Sequence, residues 1–172
     1  PPPVRPVYIV GVGMTRFGKH PGETYKQLAE VAVRTALGDA GLAPSSVQNA
    51  FVANAIGAST THQEMIAGQV ALRGVGIADI PIFNIENACA SSSSAVHLGW
   101  MSVASGMVDV SLALGVETMT GAPKPDVARA IGRGVDVDIY DDHDAPAGRS
   151  HFMELYAGLT RGHARVLEYG AG

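Results

Sequence analysis

The chain has 172 residues, of which 47% are hydrophobic and 16% charged, and its formal net charge is −4. Its lysines and arginines form no cluster, which excludes the basic footprint of a nucleic-acid-binding protein, and its single cysteine excludes an internal disulfide. No apolar stretch reaches 18 residues and the N-terminus lacks the pattern of a signal peptide, so we expect a cytoplasmic protein without a membrane span.

The first half of the chain alternates short apolar runs with helical patterns. Residues 7–10 (VYIV) form a β-branched and aromatic run that predicts a strand, and residues 47–56 predict a second strand. Between them, Thr24 is a typical N-cap and Gly41 a typical stop signal, which predicts a helix bounded by these two residues. Residues 62–73 (HQEMIAGQVALR) predict a further helix.

The alternation continues to residue 116. Residues 80–85 (IPIFNI) predict a third strand, residues 88–106 a helix with almost no charge, and residues 108–116 (VDVSLALGV) a fourth strand. Nearly continuous apolar strands that alternate with helices are typical of a mostly parallel sheet with helices on its faces. The sequence therefore predicts an α/β fold with the order β-α-β-α-β-α-β.

The character of the sequence changes at about residue 120. Residues 121–150 are rich in proline, glycine and aspartate and show no clear periodicity, which indicates a functional loop, a disordered segment or the entry to another subdomain. Residues 151–169 return to helical spacing. We therefore predict two domains, residues 1–119 and residues 120–172.

Acidic side chains are concentrated in the second of these domains. They are Asp136, Asp138, Asp141, Asp142 and Asp144, with His143 among them. Their spacing fits no EF-hand loop, because the glycine and the closing glutamate are missing. We therefore expect a solvated loop here and no metal site.

Residues 84–95 (NIENACASSSSA) place Cys89 where a strand turns into a helix of small residues. The first N–H groups of a helix have no intrahelical partner, so they stabilise a thiolate and lower the pKa of a cysteine from its free value of about 8.5. They would stabilise an oxyanion in the same way. The alternative is an inert buried thiol, which is the usual state of a lone cysteine. Four serines at residues 91–94 favour a close backbone approach or a site lined with hydroxyls.

The same segment resembles the nucleophilic-cysteine motif of the thiolase superfamily, in particular the sterol-carrier-protein-type thiolases and their lipid-transfer-protein relatives. Residues 7–18, 112–120 and 152–170 are similar to the opening strand, to the strand after the cysteine helix and to the loop-domain helix of that subgroup. The resemblance covers nearly the whole chain. It implies a thiolase-like layered βαβαβαβ half with a mostly parallel sheet, followed by a partial loop domain at residues 120–172.

The resemblance also implies a reaction. Thiolases attack the keto carbon of a 3-ketoacyl-CoA with a cysteine, release acetyl-CoA and hold the acyl group as a thioester until a second CoA collects it. The reaction also runs as a condensation. The position that matches the nucleophile is Cys89, whose own N–H group would serve an oxyanion hole. Such an enzyme uses coenzyme A as a substrate and has no permanently bound cofactor.

Further residues and partners follow from the resemblance. Met119 matches a position near the catalytic cavity, and Lys124, Arg129 and Arg133 would meet the phosphates of CoA. We expect a homodimer or a larger oligomer, with a small partner subunit as a second protein partner. The family's catalytic histidine and second acid/base residue belong to its C-terminal half, which this sequence does not match. That half is expected from further polypeptide or from another chain, and the chain alone is expected to be inactive.

Three alternatives stay open at this point. A thiolase-fold retro-aldolase that cleaves sterol side-chain acyl-CoA would have the same fold and different chemistry. A ketoacyl-ACP synthase would share the segment around Cys89, although residues 7–18 and 152–170 favour the thiolase side. A non-catalytic subunit that binds lipid or acyl-CoA, or acts as a scaffold, would use Cys89 as a packing residue.

A glycine pair after the first predicted strand resembles a dinucleotide-binding loop only in part. Gly11 and Gly13 lack a third glycine at the required spacing, because the next one is Gly18. The following helix also begins too late, at about Thr24. We therefore expect no nucleotide at this loop.

Overall fold

The computed structural model describes residues 4–138 and 156–162, which belong to two compact units, Pro1–Ala122 and Pro123–Gly172. The first unit contains the helices α1 (Tyr25–Ala40), α2 (Gly57–Thr61), α3 (Ala67–Arg73) and α4 (Ser91–Ala104) and the strands β1 (Asn49–Ala53), β2 (Ile82–Ile85) and β3 (Ser111–Gly115). In the second unit, α5 spans Lys124–Gly132, and residues 156–162 are helical. No helix among the described residues has the length and apolarity that a membrane span requires.

The three strands form one parallel sheet in the order β2-β1-β3. In the register of the sheet, Phe51 of the central strand lies between Phe83 and Ala113. All five residues of β1 are buried, because helices cover the sheet on both faces. The predicted α/β fold with a mostly parallel sheet is confirmed.

Two small cores hold the sheet to its helices. On one face, α1 and α3 pack on the sheet through a cluster that includes Val33, Val52 and Leu72. On the other face, Phe51 packs against Ala95 of α4. Here the backbones approach closely: a Cβ added at Gly99 of α4 would lie 3.2 Å from Ser111 Oγ. The small residues of this helix therefore permit the close packing that their run in the sequence predicts.

Helix α1 has the ends that its sequence predicts. The Thr24 N–H group donates to Gln27 Oε1 at 2.8 Å and the Gln27 N–H group donates to Thr24 Oγ1, which is a capping box. Gly41 ends the helix in the left-handed conformation, with φ of 65°. Both ends are specified by residues within one turn of them, which is why the sequence alone locates them.

The N-terminal segment departs from the prediction, because residues 7–10 do not join the sheet. The segment instead crosses α1, where a Cβ at Gly11 or Gly13 would collide with the carbonyl oxygen of Ala36 or Ala32. Upstream, Arg5 anchors the segment through a salt bridge to Asp109, with 2.9 Å between Arg5 Nη1 and Asp109 Oδ1. A cavity of about 1030 Å³, lined mainly by apolar residues, separates the segment from β3. The glycine pair thus serves a backbone crossing.

Two of the predicted helices also begin later in the structure, and a third is described only in part. The helix predicted over residues 62–73 begins only at Ala67, because His62 and Ile66 have positive φ and interrupt it. The helix predicted over residues 88–106 begins with a 3₁₀ turn and becomes α-helical at Ser91. Of the helix predicted over residues 151–169, only residues 156–162 are described, and these are helical.

Helix α5 lies where the sequence shows no periodicity. Pro125 occupies its first turn, where a missing N–H group costs nothing, and Asp126 pairs with Arg129 at 3.2 Å one turn later. Nine residues give too few turns for an apolar pattern to stand out among proline, glycine and aspartate. The expectation of an irregular segment throughout residues 121–150 is therefore wrong for this part of it.

Candidate active site

The carboxyl ends of the three parallel strands meet at one edge of the sheet, which is where open α/β sheets place their sites. The chain leaves β1 at Asn54, enters the cysteine segment from β2, and continues from β3 to Glu117 and Met119. The N–H group of Asn54 donates to the carbonyl of Ile85 at 3.1 Å, so the ends of β1 and β2 are joined. Residues that are far apart in the sequence thus come together beside the cysteine segment.

Cys89 is the middle residue of a 3₁₀ turn, Ala88–Ala90, that leads directly into α4. Its side chain is exposed. Within the described residues, Cys89 is therefore not a buried core thiol. The preceding residue, Ala88, has φ of 45°, a left-handed conformation that costs an alanine about 1 kcal/mol. Cys89 is thus presented on a tight and strained turn between a strand and a helix.

Helix α4 is less deeply buried than its uncharged sequence predicts. One face packs on the sheet through Ala95 and Gly99, while Val96 and Trp100 remain 57% and 46% exposed. A helix that covers a sheet buries only the stripe that faces it. Helix α4 therefore covers the sheet with one face and leaves its opposite face exposed in the described part of the chain.

Two of the four serines bind the turn that carries Cys89. Ser91 Oγ accepts a hydrogen bond from the Asn87 N–H group at 2.8 Å and donates one to the Ala88 carbonyl at 2.7 Å. Ser94 Oγ accepts a hydrogen bond from the Asn87 side chain at 2.9 Å. The serine run therefore supports the turn, in addition to permitting close packing.

A carboxylate that sequence reasoning missed links two strand ends. Glu117 Oε2 accepts hydrogen bonds from the N–H groups of Ala55 and Ile56, at 3.0 and 2.9 Å. The Asn54 side chain donates to the carbonyl of Val116 at 2.6 Å and completes the connection between β1 and β3. An acidic residue directly after an apolar strand was the available signal, because such a carboxylate needs donors nearby.

One family of proteins matches this chain over most of its length. The model of the thiolase N-terminal domain matches residues 7–164. The chain belongs to the thiolase family. In this thiolase domain, the segment that resembles the family's nucleophilic-cysteine motif is the strained turn at Cys89.

Relatives of this thiolase domain include lipid-transfer and acyl-transfer proteins. Non-specific lipid-transfer protein-like 2 of Caenorhabditis elegans is 37% identical over 95% of this chain and 43% of its own length. Sterol carrier protein 2 of Gallus gallus is 42% identical over 67% of this chain and 20% of its own length. The acetyl-CoA acetyltransferase of Methanothermobacter thermautotrophicus is 32% identical over 97% of this chain and 41% of its own length. The resemblance to sterol-carrier-type thiolases is confirmed, and the chain spans less than half the length of each of these relatives.

The remaining predicted binding residues lie in different parts of the chain. Met119 follows β3 in the first unit and is 39% exposed. Lys124, Arg129 and Arg133 belong to α5 and its C-terminal end in the second unit. Arg129 and Arg133 are one turn apart, whereas Lys124 precedes Arg129 by five residues and lies on a different face. The structure therefore does not bring the three cations together on one face.

The predicted acidic loop is described only at its start. Asp136 and Asp138 are exposed, and the Asp138 N–H group donates to Asp136 Oδ1 at 3.1 Å. Asp141, Asp142 and Asp144 lie outside the described residues. Within residues 4–138 and 156–162, no three histidine, cysteine, aspartate or glutamate side chains are grouped as a metal site would require.

Proposed function

We propose that this thiolase domain is part of an acyltransferase that acts on 3-ketoacyl-CoA thioesters and that Cys89 is its nucleophile. The observation that carries the proposal is the position of the chain's single cysteine, which is exposed on the turn from β2 to α4. The match to the thiolase family supports the type of reaction. The acetyl-CoA acetyltransferase among the relatives supports coenzyme A as a substrate and acyl transfer as the chemistry.

In the proposed reaction, the Cys89 thiolate attacks C3 of the 3-ketoacyl-CoA. The C2–C3 bond breaks, and its electron pair leaves with C2 as the enolate of acetyl-CoA, which takes up a proton. The acyl group remains as a thioester on Cys89. The thiolate of a second CoA then attacks the thioester carbonyl and releases Cys89. Backbone N–H groups at the turn stabilise the oxyanion that each attack creates. The histidine and the second acid/base residue of the family's C-terminal half carry out the proton transfers.

Other parts of the chain have roles in the same proposal. Met119 lines the acyl pocket, since it follows β3 at the edge where Cys89 lies. The exposed cations of α5 bind the phosphates of CoA, Arg129 and Arg133 from one face of the helix and Lys124 separately from another. The complete enzyme is a cytoplasmic homodimer that also binds a small partner subunit.

The decisive experiment uses the complete polypeptide that contains this domain and acetoacetyl-CoA as substrate. Cys89→Ala is expected to lower the rate of thiolysis on the order of 10³-fold or more, because this chain has no other cysteine to carry the acyl group. Mass spectrometry of the wild type, stopped before CoA is added, should show the acyl mass on the peptide with Cys89. Cys89→Ser, which is of similar size, tests that the loss comes from the missing sulfur.

Two outcomes would contradict the proposal. A Cys89→Ala variant with wild-type activity would remove Cys89 as the nucleophile. Cleavage of a β-hydroxyacyl-CoA that consumes no free CoA, without any thiolysis, would instead establish the retro-aldol reaction. Measuring the consumption of CoA by a thiol reagent separates these two reactions directly.

A further inference from the structure

The turn that carries Cys89 holds an unfavourable backbone conformation. Ala88 has φ of 45°, a region that L-residues other than glycine, asparagine and aspartate rarely adopt. Such a conformation persists only where the surrounding structure over-determines it. The groups that hold Ala88 in place therefore also decide where the Cys89 sulfur lies.

Ser91 makes hydrogen bonds on both sides of this strained residue. Its hydroxyl accepts from the Asn87 N–H group at 2.8 Å and donates its only proton to the Ala88 carbonyl at 2.7 Å. The residue is 4% exposed, so water does not readily replace either bond. A single buried hydroxyl thus connects the Glu86–Asn87 peptide group to the Ala88–Cys89 peptide group, on either side of the strained residue.

The two ends of the segment are anchored independently. At the strand side, the Ile85 carbonyl accepts from the Asn54 N–H group at 3.1 Å. At the helix side, the Asn87 side chain donates to Ser94 Oγ at 2.9 Å. Between these anchors, the hydroxyl of Ser91 spans the left-handed residue and so controls the direction in which the turn presents Cys89.

We infer that Ser91 is a positioning residue for Cys89. Its hydroxyl keeps the turn in the conformation from which the sulfur reaches the keto carbon of the substrate. The inference rests on the proposed function, because it takes Cys89 as the nucleophile. Loss of the hydroxyl is expected to leave the thiol in place and accessible while its direction of attack is no longer fixed.

The test compares Ser91→Ala with Ser105→Ala in the complete polypeptide. Ser105 is the matched control, because its hydroxyl also donates to a carbonyl three residues earlier, that of Ser102 at 3.1 Å, at the far end of α4. Ser91→Ala is expected to lower kcat for thiolysis about 10- to 100-fold, with KM changed less than about threefold. Ser105→Ala should keep the wild-type kcat.

A second readout separates positioning from a loss of folded protein. In Ser91→Ala, iodoacetamide should still label Cys89, measured on its own peptide by mass spectrometry, at a rate within about threefold of the wild type, because Cys89 remains exposed. A kcat within twofold of the wild type per labelled thiol, with only a lower Tm, would overturn the inference. Cys89→Ala distinguishes the two proposals: if it stays active, the proposed function fails, whereas an inactive Cys89→Ala beside a fully active Ser91→Ala removes the positioning role alone.

Two milder variants are measured if Ser91→Ala does not fold. Ser94→Ala removes only the outer anchor on the Asn87 side chain and leaves the buried hydroxyl of Ser91 in place. It is expected to lower kcat by a smaller factor, about three- to tenfold, with the same stoichiometric labelling of Cys89. Because Ser94→Ala keeps the hydroxyl of Ser91, the inference itself is then decided by Ser91→Cys, in which a thiol of similar size weakens both hydrogen bonds. A wild-type kcat in a folded Ser91→Cys would overturn the inference.

Discussion

At the scale of single residues, Glu117 shows how much of the site depends on contacts between distant segments. Its carboxylate accepts hydrogen bonds from two backbone N–H groups that lie 62 and 61 positions away in the sequence. These donors belong to Ala55 and Ile56, at the turn after β1 that leads into α2. The carboxylate therefore joins the ends of β1 and β3 at the edge of the sheet where Cys89 lies.

Replacing Glu117 tests this connection. Glu117→Ala leaves the two N–H groups without their acceptor, and we expect the free energy of unfolding to fall by about 1–3 kcal/mol in urea titrations. Glu117→Gln keeps one carbonyl oxygen as an acceptor, so its free energy of unfolding should fall by less than that of Glu117→Ala. Glu86→Ala, at an exposed carboxylate, is the control and should stay within about 0.5 kcal/mol of the wild type. Equal losses in Glu117→Ala and Glu86→Ala would contradict the assignment.

At the scale of elements, the crossing of the N-terminal segment over α1 depends on glycine. A Cβ at Gly13 would collide with the carbonyl oxygen of Ala32 and press on the Ala36 backbone. Neither group can move without disturbing the helix. By contrast, a Cβ at Gly38 in the same helix would meet no atom within 4 Å. Two glycines associated with one helix thus have opposite roles.

The two glycine-to-alanine variants should therefore change stability in opposite directions. Gly13→Ala is expected to lower the free energy of unfolding by about 1–3 kcal/mol, because the segment must lift from α1. Gly38→Ala is expected to raise it by about 0.5–1 kcal/mol, since alanine has the higher helix propensity. Thermal or urea unfolding followed by circular dichroism measures both. A destabilised Gly38→Ala beside a neutral Gly13→Ala would show that the segment does not cross the helix in this way.

At the scale of the whole molecule, the residues with proposed roles belong to both units. The nucleophile belongs to the first unit, and the cations proposed to bind CoA belong to α5 in the second. Arg129 is already paired with Asp126 at 3.2 Å, so its charge is partly compensated, and both side chains are about half exposed. Exposed charges of this kind contribute modestly and are screened by salt.

The contribution of α5 is measurable through the affinity for CoA. In the complete polypeptide, the combined variant Lys124→Ala, Arg129→Ala and Arg133→Ala is expected to raise KM for CoA about tenfold at low ionic strength and to leave kcat nearly unchanged. Added salt should reduce the difference between variant and wild type. Arg16→Ala, at an exposed cation of the first unit, is the control. An unchanged KM in the combined variant would remove α5 from CoA binding.

The sequence by itself determined those features whose physical causes are local. Helix α1 was located by Thr24 and Gly41, because caps act within one turn of the helix ends. The order of β1, β2 and β3 followed from apolar runs, and the position of Cys89 after a strand and before a small-residue helix followed from its neighbours. The family was also evident from the segment around this cysteine, because the motif is contiguous.

Only the tertiary structure decided the features that depend on contacts between distant segments. Residues 7–10 have the composition of a strand, but the segment crosses α1 and leaves β3 at the edge of the described sheet. The late start of α3 depends on the backbone at Ile66, which no propensity signals. The backbone N–H groups that donate to Glu117 lie about 60 residues away in the sequence. Ser91 donates to the carbonyl of Ala88, a residue whose left-handed conformation the sequence does not signal. Hydrophobic pattern and propensity indicate which conformation a segment favours by itself, whereas its contacts with other segments determine the conformation that it adopts in the fold.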